Sequence, residues 1–265
     1  MHFNHFNFDF SAVKVLWALT FAALLVLMVV LLGRDRVRRY PFFTASIVLL
    51  ALRLLMSRLL YGKLPSFTLG EIFLTLADLT ALVGLLVLVE LARQAFDGLQ
   101  RSLWVVNSAG LLAVAGTVIV LWGPWPTWKT LTADSHTAVL RFMQLFAEKT
   151  DTLVLMMTIG LGLAVILFGR KYKAGWRSHT QRIVIGLSIA AISQLALIIA
   201  LDRIARTAAP QTRADLDRIV GFRDKLINTS TGVYLAVLVW WIVCLWMDEH
   251  GTAVESAELP AEEEQ

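Results

Sequence analysis

The sequence predicts an all-α, polytopic membrane helix bundle of seven transmembrane helices, N-out/C-in. Three observations carry this prediction. Of the 265 residues, 57% are hydrophobic and 17% charged, with a mean hydropathy of +0.68, whereas charged residues make up about a quarter of an ordinary soluble domain. The apolar residues gather into continuous stretches near bilayer length instead of alternating as in strands, and in lipid only helices or closed barrels satisfy their own backbones. Basic residues concentrate in alternate connections, the pattern that orients a membrane protein.

In chain order the stretches run from Ser11 to Leu32, Pro41 to Tyr61, Leu69 to Ala92, Leu103 to Trp122, Thr152 to Phe168, Ile183 to Leu201 and Leu226 to Met247. The first has Asp9 and a lone Lys14 at its start in place of a basic leader, and Arg34, Arg36, Arg38 and Arg39 after it in place of a small-residue cleavage site. It therefore reads as a retained span, with those four arginines holding the first connection in the cytoplasm. Alternation then puts Arg93 and Arg101 inside, together with the densest basic loop, which carries Arg170, Lys171, Lys173, Arg177 and Arg182. Lys63 and Lys129 fall outside. The connector between spans six and seven disagrees, because Arg203, Arg206, Arg213, Arg218, Arg223 and Lys225 exceed Asp202, Asp215, Asp217 and Asp224 on a loop that this topology places outside. A six-span or re-entrant chain is the competing topology.

The connector from Arg213 alternates charges as a solvated or interfacial helix does. The segment from Thr137 to Asp151 is amphipathic, which predicts a helical extension of span five beyond the bilayer. Trp104, Trp122, Trp125, Trp128, Trp176 and Trp246 fall at span ends or in adjacent loops, where indole rings anchor at headgroup depth. Residues 1–247 thus form one seven-helix transmembrane domain. Residues 248–265, with Glu255, Glu258, Glu262, Glu263 and Glu264, are expected to be a disordered acidic cytoplasmic tail.

Ionisable groups inside spans are costly in lipid and mark candidate sites. Arg53 and Arg58 lie past the midpoint of span two, and Glu71 and Asp78 lie seven residues apart on one face of span three. Spans two and three are antiparallel neighbours, so these arginines are expected to meet these carboxylates. Glu148 and Asp151 at span five, and Asp224 and Asn228 at span seven, fall at the same depth. The arrangement points to an outward-facing polar pocket for a small ligand or ion. Lesser signals are Asn107 and Gln194 for interhelical hydrogen bonds, Gly160 and Ala164 for close packing, and a local Glu90–Arg93 pair.

Other chemistry is disfavoured. The histidines His2, His5, His136, His179 and His250 avoid span interiors, which argues against a haem held by facing helices and against a histidine-ligated metal. Cys244 is the single cysteine, so neither a disulfide nor a cysteine metal site forms within one chain. No Walker, Gly-x-Ser-x-Gly or kinase signature occurs, so no enzymatic activity, cofactor or nucleic-acid partner is expected. The outline is similar to that of microbial rhodopsins, yet a retinal site needs a lysine in the middle of the last helix, where this chain has only Lys225 at the edge. It also resembles the seven-helix input modules of bacterial sensors, without a diagnostic motif. The favoured expectation is a small-ligand-binding or sensory module of the cell membrane (the inner membrane in a bacterium), with a cytoplasmic signalling partner at the Arg170–Arg182 loop. The competing one is a proton- or ion-coupled transporter or channel.

Overall fold

The computed structural model describes residues 12–60, 63, 65–96, 116, 136–168, 178–207 and 212–247. Within them the chain forms six helices and no strand: α1 (Ala12–Gly33), α2 (Pro41–Leu59), α3 (Ser66–Ala95), α4 (His136–Phe168), α5 (His179–Thr207) and α6 (Arg213–Trp246). All six are long and apolar enough to cross a membrane, which makes this an all-α, multi-pass membrane protein. The remaining expected span, Leu103 to Trp122, lies outside the described residues apart from Gly116. So do Asn107, the tryptophans between 122 and 128, most of the basic loop and the acidic tail.

Local sequence explains where the helices start and stop. Pro41 occupies the first turn of α2, where its missing N–H costs nothing and its fixed φ suits a helix. Between α1 and α2 the chain turns at Asp35, whose φ of 50° is left-handed, a conformation that a short polar side chain tolerates. The turn lets Arg36 N donate to Leu31 O at 2.9 Å, satisfying a carbonyl at the end of α1. α6 begins with a capping box, in which Thr212 Oγ1 accepts from Asp215 N and Asp215 Oδ2 accepts from Thr212 N, both at 3.2 Å. The charged segment from Arg213 is thus the first part of α6, and the amphipathic segment from Thr137 is continuous with α4. At 33 and 34 residues these two helices are each about 50 Å long against a hydrocarbon layer of about 30 Å. Both outlast the bilayer.

Each helix packs on the next in sequence, α6 closes back on α1, and α3 also touches α5. Contacts fix the directions. Near the arginine turn, Arg34 lies 4.9 Å over the Trp246 ring, Tyr40 Oη meets Thr180 Oγ1 at 2.9 Å, and Arg182 donates to Cys244 O at 3.4 Å. Phe43 N donates to Glu90 at 2.9 Å at the same end. The C-termini of α1, α3 and α6 and the N-termini of α2 and α5 therefore share this arginine end. α4 meets α5 at Ser188, whose Oγ donates to Thr158 O at 3.2 Å and whose side chain also lies against Gly162. It runs parallel to α3, with Gly84 against Val154 and with Leu88 and Leu91 sharing a core with Leu161 and Val165. The chain consequently leaves α3 at the arginine end and enters α4 at the opposite end.

The core fills only part of this bundle. Leu27, Leu31, Phe43, Ile47, Leu91, Ile183, Leu238, Trp241 and Leu245 are essentially inaccessible, and Phe43 meets Trp241 edge to face at 5.2 Å. Toward the opposite end, among described side chains, no residue before Thr20 in α1, after Ala51 in α2, before Ala81 in α3, after Ala191 in α5 or before Val237 in α6 is buried. Ala147 of α4 is the exception.

Candidate functional site

The charged residues of interest sit where the packed core ends. Helical register shows which face each occupies. Asp78 lies on the α3 stripe that continues through Ala81, Leu85 and Leu88, all buried or packed on the core. Asp151 lies on the α4 stripe of Ala147, Val154, Thr158, Leu161 and Val165, also buried or packed on the core. Arg53 lies one turn beyond buried Leu49 on α2, on the side away from buried Ala51. Asp78 and Asp151 thus lie on stripes that lead into the packed core, with Asp151 itself exposed, and Arg53 lies on the flank of the α2 core face.

The three sit at a common depth. Phe43 is held by Glu90, so Arg53 and Asp78 lie ten and twelve residues beyond that contact, about 15 and 18 Å along their helices at 1.5 Å per residue. The charges of both Arg53 and Asp78 act on Asp151. α2 and α4 do not pack on each other, and no ion pair among the described residues joins Arg53 to Asp151. Arg53 and Asp78 are half-buried, Asp151 is exposed, and Asp78 Oδ1 is shielded without a hydrogen-bond partner among the described residues.

Other expected members stand apart. Arg58 is exposed and stacks 5.9 Å over the ring of Trp17, whose Nε1 donates to Leu54 O at 3.3 Å. Glu148 is exposed and accepts from Gln144 one turn earlier at 3.1 Å. Glu71 is half-buried, and no ion pair among the described residues joins Arg53 or Arg58 to Glu71 or Asp78, so the expected direct pairing of α2 with α3 is not formed. Asp224 is exposed and Asn228 half-buried; they share the α6 stripe that descends through Thr231, Leu235 and Leu238 into the core, without a described contact to Arg53, Asp78 or Asp151.

Several polar groups carry no sequence signal of their importance. Thr20 of α1 is 5% exposed, and its Oγ1 has no partner among the described residues. Thr44, Thr80, Thr158 and Thr231 instead donate to the carbonyl four residues back. The Tyr234 hydroxyl of α6 is likewise shielded and unpartnered. Ser193, not its neighbour Gln194, links α5 to α6, with its Oγ 3.3 Å from Ser230 Oγ. Gln194 is exposed. Close helix approach falls at Gly162 and Gly186, where Ser188 and the Trp241 indole occupy the space a β-carbon would take.

Glu90 also departs from expectation. Its carboxylate accepts from Phe42 N at 3.3 Å and Phe43 N at 2.9 Å, capping α2 from α3 instead of pairing with Arg93. The reason is local: Tyr40 at the N-cap offers no side-chain acceptor to those donors. Thr180 joins the same layer, donating to Gln94 Oε1 at 3.2 Å, while Gln94 Nε2 donates to Arg39 O. The first turns of α2 and α5 are thereby tied to the end of α3.

Comparison with protein-family models, curated proteins and solved structures finds no match. The class defined here is that of a multi-pass helical membrane protein whose interior charges occupy the unpacked half of the bundle.

Proposed function

We infer that the chain is a seven-span, N-out/C-in sensory or small-ligand-binding module of the cell membrane, with its polar pocket open to the outside. One observation carries this reading: half-buried Arg53 and Asp78 and exposed Asp151 sit on three successive helices at the level where side-chain packing stops. Charges kept there without direct pairing fit a ligand site, since lipid penalises each of them. The parallel course of α3 and α4 supports the seventh crossing, because residues 97–135 must return the chain from one end of the bundle to the other. The arginine turn supports the orientation through the retention of short basic loops in the cytoplasm.

In this reading a ligand drawn between α2, α3 and α4 shifts helices whose far ends meet in the Glu90, Gln94, Tyr40 and Thr180 layer. That layer adjoins the basic loop before α5, where a cytoplasmic partner would receive the signal. Among the described residues the arginine half is the tightly packed one, which favours sensing over transport.

The test is labelling with a membrane-impermeant maleimide in intact cells, on a background with Cys244 replaced. Cysteines at Ser57 and Thr212 are expected to react from outside and a cysteine at Arg36 only after permeabilisation. The reverse pattern would sink the topology and the pocket together. Ion flux in liposomes that Asp78→Asn abolishes, with helicity retained, would establish the transport reading instead.

A further inference from the structure

Arg58 stands in the last turn of α2, one turn beyond core-packed Leu54, and meets Trp17 of α1 across the seam between the two helices. Trp17 continues the buried α1 stripe of Leu31, Leu27, Leu24 and Thr20 to the end where packing stops. It is fixed from two sides: its Nε1 donates to Leu54 O at 3.3 Å, and its ring stacks on Phe21 at 5.7 Å with the planes 9° apart. The Arg58 guanidinium lies 5.9 Å over this anchored indole. Stacking holds a guanidinium by its face and leaves the N–H donors at its edge for another acceptor.

No acceptor among the described residues takes them. Arg58 makes neither a hydrogen bond nor an ion pair there, and Glu71 of the neighbouring α3 does not pair with it. Lys63, in the turn that closes α2 with its N–H on Leu60 O at 3.1 Å, is a second exposed cation without an ion pair among the described residues.

Depth narrows the choice of acceptor. α2 has 19 residues and so spans about 28 Å against about 30 Å of hydrocarbon, which sets its last turn in the headgroup layer. Phosphate oxygens are the anionic acceptors concentrated there, and a guanidinium takes them through paired N–H donors. Val13, one turn before Trp17, and Leu59, beside Arg58, are 58% and 49% exposed, so apolar surface borders the cation. An anionic head joined to a hydrocarbon body matches both.

We propose that Arg58, seated on Trp17, binds the phosphate of a net-anionic phospholipid at the α1–α2 seam, with Lys63 beside the same headgroup. Two cations disfavour a headgroup that carries a positive charge of its own, so phosphatidylglycerol is expected to outcompete phosphatidylcholine. The site stands independently of the pocket reading and of which leaflet this end of the bundle occupies.

The purified full-length chain is placed in phosphatidylcholine nanodiscs doped with a phosphatidylglycerol that carries a photoreactive diazirine at its headgroup, and crosslinked residues are mapped by mass spectrometry. Crosslinks are expected around Val13, Trp17 and Arg58, displaced by unlabelled phosphatidylglycerol and not by added phosphatidylcholine or inorganic phosphate. Arg58→Gln is expected to lower their yield about tenfold, the scale of a lost charge-assisted hydrogen bond. Crosslinks at the arginine turn, Arg34 to Arg39, should stay at the parent level and report an intact bundle. Displacement by inorganic phosphate assigns a soluble anion and overturns the lipid proposal, as does equal displacement by the two lipids. Parent yield at the seam in Arg58→Gln, which a purely structural stack on Trp17 predicts, overturns it too. Should the glutamine variant lose the turn crosslinks as well, Arg58→Lys decides in its place, since it keeps the charge without the planar fork. A severalfold loss at the seam then supports the proposal, and parent yield overturns it.

Discussion

The arginine half of the bundle and the half beyond it are built from the same six helices, yet they solve different problems. In the arginine half, large apolar side chains interlock. Leu27, Leu31, Phe43, Leu91, Ile183, Leu238 and Trp241 reach zero or near-zero exposure, and polar groups such as Glu90 and Thr180 are consumed in bonds between helices. The other half carries Arg53, Asp78, Asp151, Asn228 and Tyr234, and almost none of its described residues is buried. Packing holds the bundle together at one end and leaves room at the other, so stability and ligand chemistry are spatially separated.

That separation makes graded predictions. The largest effect is expected for Trp241→Ala, which removes the ring packed against Phe43 and Gly186 and should cost about 3–5 kcal/mol in reversible unfolding from detergent micelles. An equal loss from Asn228→Ala would break the contrast, since that residue belongs to the unpacked half. Next come Gly186→Ala and Gly162→Ala, whose β-carbons meet the Trp241 indole and the Ser188 side chain; overpacking of this kind costs about 1–3 kcal/mol. Glu90→Ala strands the Phe42 and Phe43 amides and should cost about 1–3 kcal/mol, with hydrogen exchange accelerated in the first turn of α2. Exchange unchanged there would show that α2 does not depend on α3 for its cap. The smallest effect is Thr212→Ala, about 1 kcal/mol, confined to fraying of the exposed start of α6.

Much of the fold was legible because lipid imposes a simple rule: a spanning segment must be apolar and satisfy its own backbone. Every span expected within the described residues is helical, and the extensions read from Thr137 and Arg213 are continuous with α4 and α6. The candidate site was legible in part. Arg53, Asp78 and Asp151 were found as charges at a forbidding depth, but nothing in the sequence separated them from Arg58, Glu71 and Glu148. Burial of neighbouring residues distinguishes them, and burial depends on how helices are arranged.

By itself, then, the sequence determined the solvent, the helices and the set of expensive charges, since each follows from hydropathy along a single segment. Tertiary structure decided the rest. That Glu90 caps α2 and ignores Arg93, that helices approach closely at Gly162 and Gly186, and that Thr20 is buried against the core all depend on register between helices. Register is a matter of side-chain interlocking across the bundle, which lipid-driven hydropathy leaves open because any rotation of an apolar helix suits the bilayer equally well.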